Sequence, residues 1–157
     1  MSQHEKVEAF LGDTVMKVRD DIDYSYARQT AFNSQSDKGL VCVTLDPLRH
    51  VTDPQNNFLT NYSCNMFFYV HDKKDGTEKE YKDCLNEAAE IKEVFERLLN
   101  RAIDEEDQTE EIRTDNTVIS AITWDPVIRA TADCLTGWIG TFTLGVPDTF
   151  NYCSVYE

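Results

Sequence analysis

The sequence predicts an α+β fold: a mostly antiparallel four-stranded sheet with two helices packed on one face, in the order α-β-β-α-β-β. Two segments repeat apolar residues at helical spacing, and four others are short β-branched or alternating runs. Two helices that are apolar on only one stripe need a sheet to bury those stripes. With 157 residues, 41% of them hydrophobic, the chain suits a single domain, 1–157, with its own core.

The first helix is predicted over residues 5–22 and the second over residues 77–103. Thr77 followed by Glu80 forms a capping-box pattern at the start of the second helix. An acidic run follows Ile103 and ends this helix, because negative side chains are unfavourable at its negative end. The apolar stripes consist of Val7, Phe10, Leu11, Val15, Val18 and Ile22, and of Tyr81, Leu85, Ala88, Ala89, Phe95, Leu99, Ala102 and Ile103.

Strands are predicted where short β-branched or alternating runs end at turn residues. The cleanest alternation is in LTNYSCNMFFYVH, which the turn DKKDG follows. Segments without periodicity are predicted to be loops or an extended tail. The four strands cover residues 39–45, 59–71, 116–124 and 135–145, the long loops cover 23–38 and 46–58, and the C-terminal tail covers 146–157.

The last predicted strand is bulky on one face and bare in two places. Trp138, Phe142 and Leu144 alternate along it and share their face with Gly140. Gly137 and Gly140 fit a close helix approach, a bulge or a bend.

Phe67 and Tyr69 lie on the face opposite Phe68 in the second predicted strand. With both helices on one side, the other face of an antiparallel sheet is expected to be polar where it meets water. Aromatic side chains are therefore left over, and two interpretations stay open: an unusually aromatic core, or a surface that another subunit covers. The candidate subunit interface consists of Phe67, Tyr69, Trp138 and Phe142.

The sequence predicts no catalytic residue, no cofactor site and no metal site. Five cysteines without a C-x-x-C pair and three widely separated histidines indicate neither a disulfide framework nor a zinc site. The chain has no G-x-S-x-G elbow and no phosphate-binding glycine loop. Cys134 follows Asp133, whose negative charge raises a thiol pKa and opposes nucleophilic use. We therefore predict that the protein is not an enzyme.

The charge of the chain excludes a surface that holds nucleic-acid phosphates. The sequence has 15 basic and 29 acidic residues, a net charge of −14, and its longest basic run is Lys73-Lys74. No apolar run approaches the ~20 residues of a membrane helix, and the N-terminus lacks a secretory pattern. We expect no sequence-specific nucleic-acid binding, no membrane partner, and a location in the cytoplasm of the cell that makes the protein.

In its layout the chain resembles the tail terminator (tail completion) proteins of tailed bacteriophages, which sit in the neck between head and tail. The resemblance covers roughly residues 5–145. It is carried by the α-β-β-α-β-β order, by the strand YSCNMFFYVHDKKDG leading into a long helix, and by the closing D-C-L-T-G-W strand. The loops at 23–38 and 46–58 are not accounted for by it.

The resemblance implies a non-enzymatic virion protein, made in the host cytoplasm and located in the neck or tail. Such a protein assembles as a ring, commonly of six subunits, which caps the tail tube and joins it to the head connector while DNA passes through the channel. The family has no catalytic residues to transfer. An acidic channel wall would repel phosphates, and the candidate channel-facing residues are Asp104, Glu105, Glu106, Asp107, Glu110 and Glu111.

Two other function classes stay open. A small cytoplasmic enzyme or ligand-binding sandwich would have its pocket between the sheet and the long helix, near Tyr62, Tyr81 and Trp138. An acidic inhibitor that imitates DNA would need carboxylates in two rows at phosphate spacing, whereas the sequence shows clusters. The assembly interpretation is preferred because no catalytic motif is present.

Overall fold

The computed structural model describes residues 1–26, 41–52, 59–72, 75–104, 109–130 and 134–154. Within them the chain forms two helices and seven strands that belong to one mixed sheet. The elements are α1 (Gln3–Val18), β1 (Asp23–Tyr26), β2 (Cys42–Leu45), β3 (Arg49–Thr52), β4 (Leu59–His71), α2 (Glu78–Asp104), β5 (Val118–Ile119), β6 (Thr123–Ala130) and β7 (Leu135–Pro147).

The centre of the sheet is the antiparallel pair β4 and β7. Each strand has 13 residues, and they pair along their whole length, from Leu59 opposite Pro147 to His71 opposite Leu135. β2 and β3 pair with different parts of β4, and β5 and β6 pair with different parts of β7. β1 pairs with β2 in parallel. The order across the sheet is β1-β2-β4-β7-β5, with β3 beside β4 and β6 beside β7.

The α+β class is confirmed and five of the six strand pairings are antiparallel, but the predicted four strands in the order α-β-β-α-β-β do not match the seven strands of the sheet. The loop predicted at 23–38 contains β1, the loop predicted at 46–58 contains β3, and the third predicted strand divides into β5 and β6. β1 and β3 have four residues each and no fully buried side chain, so they show no apolar alternation. Their conformation follows from pairing with a neighbouring strand. Residues 27–40 and 53–58 lie outside the described residues.

Both predicted helices are present with slightly shifted ends. α1 begins after Ser2, whose hydroxyl accepts a hydrogen bond from the Glu5 amide. It ends at Val18, and Ile22 is buried beyond the helix. At the start of α2 the Thr77 hydroxyl accepts from the Glu80 amide at 3.3 Å, as the capping pattern predicts.

The two helices share one core with the same face of the sheet. Phe68 of β4 contacts Phe95 of α2, with ring centroids 5.2 Å apart. The buried members of this cluster include Val7, Phe10, Leu11 and Val15 of α1, Ala88, Ile91, Phe95 and Leu99 of α2, and Val43, Cys64, Met66, Phe68, Phe142 and Leu144 of the sheet.

Two of the three glycines of β7 are required by close neighbours other than a helix. A Cβ atom on Gly140 would lie 2.6 Å from the ring of Trp124, which belongs to β6. A Cβ atom on Gly137 would lie 1.9 Å from the Phe68 carbonyl oxygen, which belongs to the backbone of β4. The bare positions therefore accommodate an aromatic ring and a neighbouring strand.

The C-terminal segment packs against α1. β7 continues through Pro147, and the rings of Phe150 and Tyr152 lie 5.8 and 5.4 Å from the ring of Phe10. The Tyr152 hydroxyl donates to the buried Asp13 carboxylate at 2.9 Å. Phe150 and Tyr152 thus belong to the same core as the helices, and residues 155–157 lie outside the described part of the chain.

Candidate functional site

The face of the sheet away from the helices is formed by alternate residues of its central and outer strands. Residues directly opposite each other in an antiparallel pair project from the same face, so the register assigns them. We call this surface the open face. It comprises Arg49, Val51, Asn61, Ser63, Asn65, Phe67, Val118, Thr123, Asp125, Ile139, Thr141 and Thr143.

The open face is accessible and mostly neutral. Ser63, Asn65 and Thr141 are exposed, while Phe67 and Ile139 are half-buried. Its two charged residues, Arg49 and Asp125, have opposite signs, so the net charge of −14 lies elsewhere on the molecule.

The outer side of α2 differs sharply from the open face. Nearly all of its exposed residues are charged, and the two exceptions are asparagines. They are Glu78, Lys79, Lys82, Asp83, Asn86, Glu90, Glu93, Arg97, Asn100, Arg101 and Asp104. The charged helix is thus a surface for water, and the open face is suited to contact with protein.

The structure separates the four residues of the predicted interface. Phe142 is 3% exposed and belongs to the core under the helices. Tyr69 is fully buried on the opposite side of the sheet, in a small cluster with Cys42 and Leu135. Of the four, only Phe67 and Trp138 present surface to a partner of the folded protomer.

Trp138 lies on the helix side of the sheet and is already engaged within the protomer. Its ring nitrogen donates to the Leu85 carbonyl at 3.0 Å. The Lys92 ammonium lies 5.1 Å from the Trp138 ring centre and 4.8 Å from that of Trp124. Trp138 therefore helps to fix α2 on β7, and an interface role for it stays a prediction.

The acidic residues predicted to face a channel begin at the end of α2. Asp104 is the last residue of the helix and is exposed, as are Glu110 and Glu111. Glu105, Glu106 and Asp107 lie outside the described residues. The described members of this group are thus accessible, and their role in a channel stays a prediction.

A polar cluster that the sequence did not indicate joins β4, β6 and α2. The Asp72 side chain is only 2% exposed, and its carboxylate accepts from the Arg129 Nε at 3.0 Å and from the Thr136 hydroxyl at 3.2 Å. The Arg129 guanidinium also donates to the Thr77 carbonyl at 3.1 Å and lies over the Tyr81 ring. Arg129 and Thr136 lie 57 and 64 positions after Asp72 in the sequence, so no local sequence pattern indicates the cluster.

The chemistry of this cluster favours a structural role. Burial, together with the carboxylates of Asp72 and Glu87, raises the pKa of the Cys84 thiol to about 11. Because the thiolate is the nucleophilic form, this shift opposes covalent catalysis by Cys84. Asp72 is held by an arginine and a threonine that the fold itself supplies. The cluster thus ties the end of β4 to the bulge in β6 and to the start of α2.

An open groove of about 370 Å³ lies between α1, β1 and the C-terminal segment. Glu5, Glu8 and Asp13 line it along α1, and Tyr24 lines the opposite side. Burial raises the pKa of Glu8, a shift that nearby His4 opposes and Glu5 reinforces. Asp13 is satisfied by the hydroxyls of Tyr152 and Ser154.

The pocket predicted near Tyr62, Tyr81 and Trp138 does not correspond to this groove. Tyr62 is buried and donates to Gln3 on α1. Tyr81 packs under Arg129, and Trp138 bonds to α2. Tyr62 lies six positions along β4 from Phe68, the residue opposite Trp138, which is roughly 20 Å at strand spacing. Tyr62 thus lies apart from Tyr81 and Trp138, which are both engaged near the start of α2.

His4 and His50 flank Tyr62, which lies toward the Leu59 end of β4. The rings of His4 and His50 lie 6.3 and 5.6 Å from that of Tyr62, and His4 shares a hydrogen bond with the Tyr26 hydroxyl. Across the described residues, no group of three or more His, Cys, Asp or Glu side chains is arranged to hold a metal ion.

No family model matches the sequence, and no curated protein matches it either. Among the described residues, no helix is long and apolar enough to cross a membrane.

Proposed function

We propose that the protein is a non-enzymatic structural subunit that acts through contacts between copies, and that it serves as a bacteriophage tail terminator. The observation that carries this proposal is the open face: an accessible, nearly neutral sheet surface on a chain with a net charge of −14. Copies with this charge repel one another, and the repulsion is smallest where charge is absent. Depletion of charge is also what distinguishes the centre of a protein interface.

The open face is too small to form a stable interface between two copies by itself. Four adjacent strands at ~4.8 Å spacing and four rows at ~6.8 Å give an area of about 500 Å². A stable interface buries about 800 Å² on each partner. Copies of the protein are therefore expected to associate weakly alone and firmly when a tail tube holds them together.

The polar cluster around Asp72 also favours a structural role over an enzymatic one. Its arginine, threonine and carboxylate satisfy one another, and the Cys84 thiol beside them has a raised pKa. The proposed terminator would form a ring, with six copies favoured, between the tail tube and the head connector. The exposed acidic residues Asp104, Glu110 and Glu111 would repel the DNA that passes through it.

Native mass spectrometry and negative-stain microscopy test the proposal, on the protein alone and with tail tube. We expect rings or tubes with tail tube present, and weak association without it. A strict monomer in both conditions would contradict the proposal. Portal, sheath or tube genes beside the coding sequence would independently support the terminator role.

Two isosteric substitutions test whether the open face makes the contact. Asn65→Asp adds one negative charge at the middle of the open face, and Asn86→Asp adds the same charge on the outer side of α2. Because an unpaired charge is costly in an interface, Asn65→Asp should weaken association about tenfold or more where the contact covers the middle of the open face. Asn86→Asp should associate like the wild type. Equal behaviour of the two variants would show that the contact lies at the margins of the open face or on another surface.

The groove on α1 favours a second candidate function, a small ligand-binding protein. It offers about 370 Å³ and three carboxylates on one side. A thermal-shift screen with metabolites and metal ions separates the two functions, because a ligand that binds only the native state raises its stability. Reproducible stabilisation by one compound, together with a strictly monomeric protein, would favour the ligand-binding function.

A further inference from the structure

We propose that neighbouring copies bind head to tail, with the β3 margin of one copy against the β6 margin of the next. The β3 margin is Arg49–Thr52, and the β6 margin is defined by Val118, Asp125 and Ile128. This inference rests on the proposed function and specifies which surfaces meet. It depends on three observations: exposed apolar side chains, opposite charges and strand edges at the two margins.

The exposed apolar side chains concentrate at the two margins. The described residues include four large hydrophobic side chains that are mostly in water: Met1, Val51, Val118 and Ile128. Val51 is 64% exposed on β3, while Val118 and Ile128 are 57% and 49% exposed beside β7. Single exposed apolar residues are common, but here three of the four lie at the two opposite sides of one sheet.

The charges of the margins have opposite signs. β3 carries Arg49 and no acidic residue, whereas β6 carries Asp125, and its Arg129 is already bound to Asp72. Two β3 margins would bring arginines together, and two β6 margins would bring aspartates together. Only the contact between unlike margins is attractive, and a contact between unlike surfaces repeats from copy to copy until a ring closes.

Arg49 and Asp125 cannot pair within one protomer. Three strand spacings separate their columns, and they lie in different rows of the open face. At ~4.8 Å between strands and ~6.8 Å between rows, the two residues are roughly 20 Å apart. An ion pair needs its charged atoms within about 4 Å, so these two residues can pair with each other only between molecules.

The backbone at the margins also fits a contact between copies. In the part of the chain that the structure describes, β3 pairs only with β4, and β5 and β6 pair only with β7. Pro126 and the bulge between Val127 and Ala130 interrupt the outer edge of β6. We therefore expect side-chain packing across the contact, with Val51 near Ile128 when Arg49 lies against Asp125, and no continuous sheet.

Charge reversal tests the pairing, with tail tube present and association measured by native mass spectrometry. Arg49→Asp and Asp125→Arg should each weaken association by about 5- to 30-fold per contact, because attraction becomes repulsion. The double variant should recover most of the loss, and an equimolar mixture of the two single variants should assemble into particles with an even number of copies. Rings in this mixture support the head-to-tail arrangement, and an assembly that stops at a dimer contradicts it.

Matched controls separate the margins from general charge effects. Arg97→Asp and Glu90→Arg make the same changes at exposed positions of α2, and they should leave association unchanged. A photoreactive residue at position 51 should cross-link to residues 118–130 of another copy. If wild type and charge-reversed variants assemble alike, the margin assignment is wrong and the proposed function stands. If the wild type stays monomeric even with tail tube, both are contradicted.

Discussion

The two faces of the central strands show how one pair of strands serves two purposes. On the helix side, Phe68 and Phe142 are buried with Phe95. On the other side, Ser63 and Thr141 are exposed. These residues alternate along the same 13-residue strands, so each substitution affects mainly one face. Over residues 61–67 of β4, burial is thus concentrated on the helix side, and the open face is free to serve contacts between molecules.

The largest expected loss of stability comes from a substitution at the centre of the helix side. Phe68→Ala removes a fully buried ring that contacts Phe95 and Trp124. We expect a loss of about 3–5 kcal/mol in the free energy of unfolding, measured by urea denaturation. The matched control is Phe67→Ala, one position away on the open face and half-buried. Equal losses for the two variants would contradict the division between the faces.

A smaller effect is expected at the polar cluster, which is also on the helix side. Arg129→Met leaves the nearly buried Asp72 carboxylate without its cation and should cost about 2–3 kcal/mol. Adding Asp72→Asn should recover part of this loss, because the uncompensated charge is removed. Denaturation of the two single variants and the double variant measures the coupling. Additive losses would show that the ion pair contributes little.

The smallest effect concerns the hydrogen bond that joins β7 to α2. Trp138→Phe keeps an aromatic ring but removes the donor to the Leu85 carbonyl, at a cost of about 1 kcal/mol. Association with tail tube should be unchanged if the ring serves only the protomer. A folded variant that no longer assembles would instead support Trp138 as an interface residue, as the sequence suggested.

The parts of the fold that were predictable are those with a strong local pattern. β4 was predicted at the observed bounds because its alternation runs through 13 residues. β1 and β3 were missed because four partly polar residues show no pattern, and only a neighbouring strand makes them extended. The alternation placed Phe67 and Phe68 on opposite faces but did not say which face the helices cover, because both faces carry aromatic side chains.

The candidate sites were less predictable, because they depend on residues far apart in sequence. Alternation placed Tyr69 opposite Phe68 correctly but did not reveal that Tyr69 is fully buried. The bond between Asp72 and Arg129 spans 57 positions of the sequence. Only the strand order shows that Arg49 and Asp125 lie at opposite sides of the sheet. Such features depend on contacts between residues far apart in the chain, which a short segment of sequence does not reveal.

The pairing of β4 with β7 also dictates when the protein can fold during synthesis. The closest partners in sequence across this pair are residues 71 and 135. A growing chain that has reached residue 134 therefore contains both helices and six of the seven strands but lacks β7, the other half of its sheet centre. Such long-range pairing is slow. The side of β4 that pairs with β7 stays unpaired until the last strand has left the ribosome, and during that interval the nascent chain is most prone to aggregation.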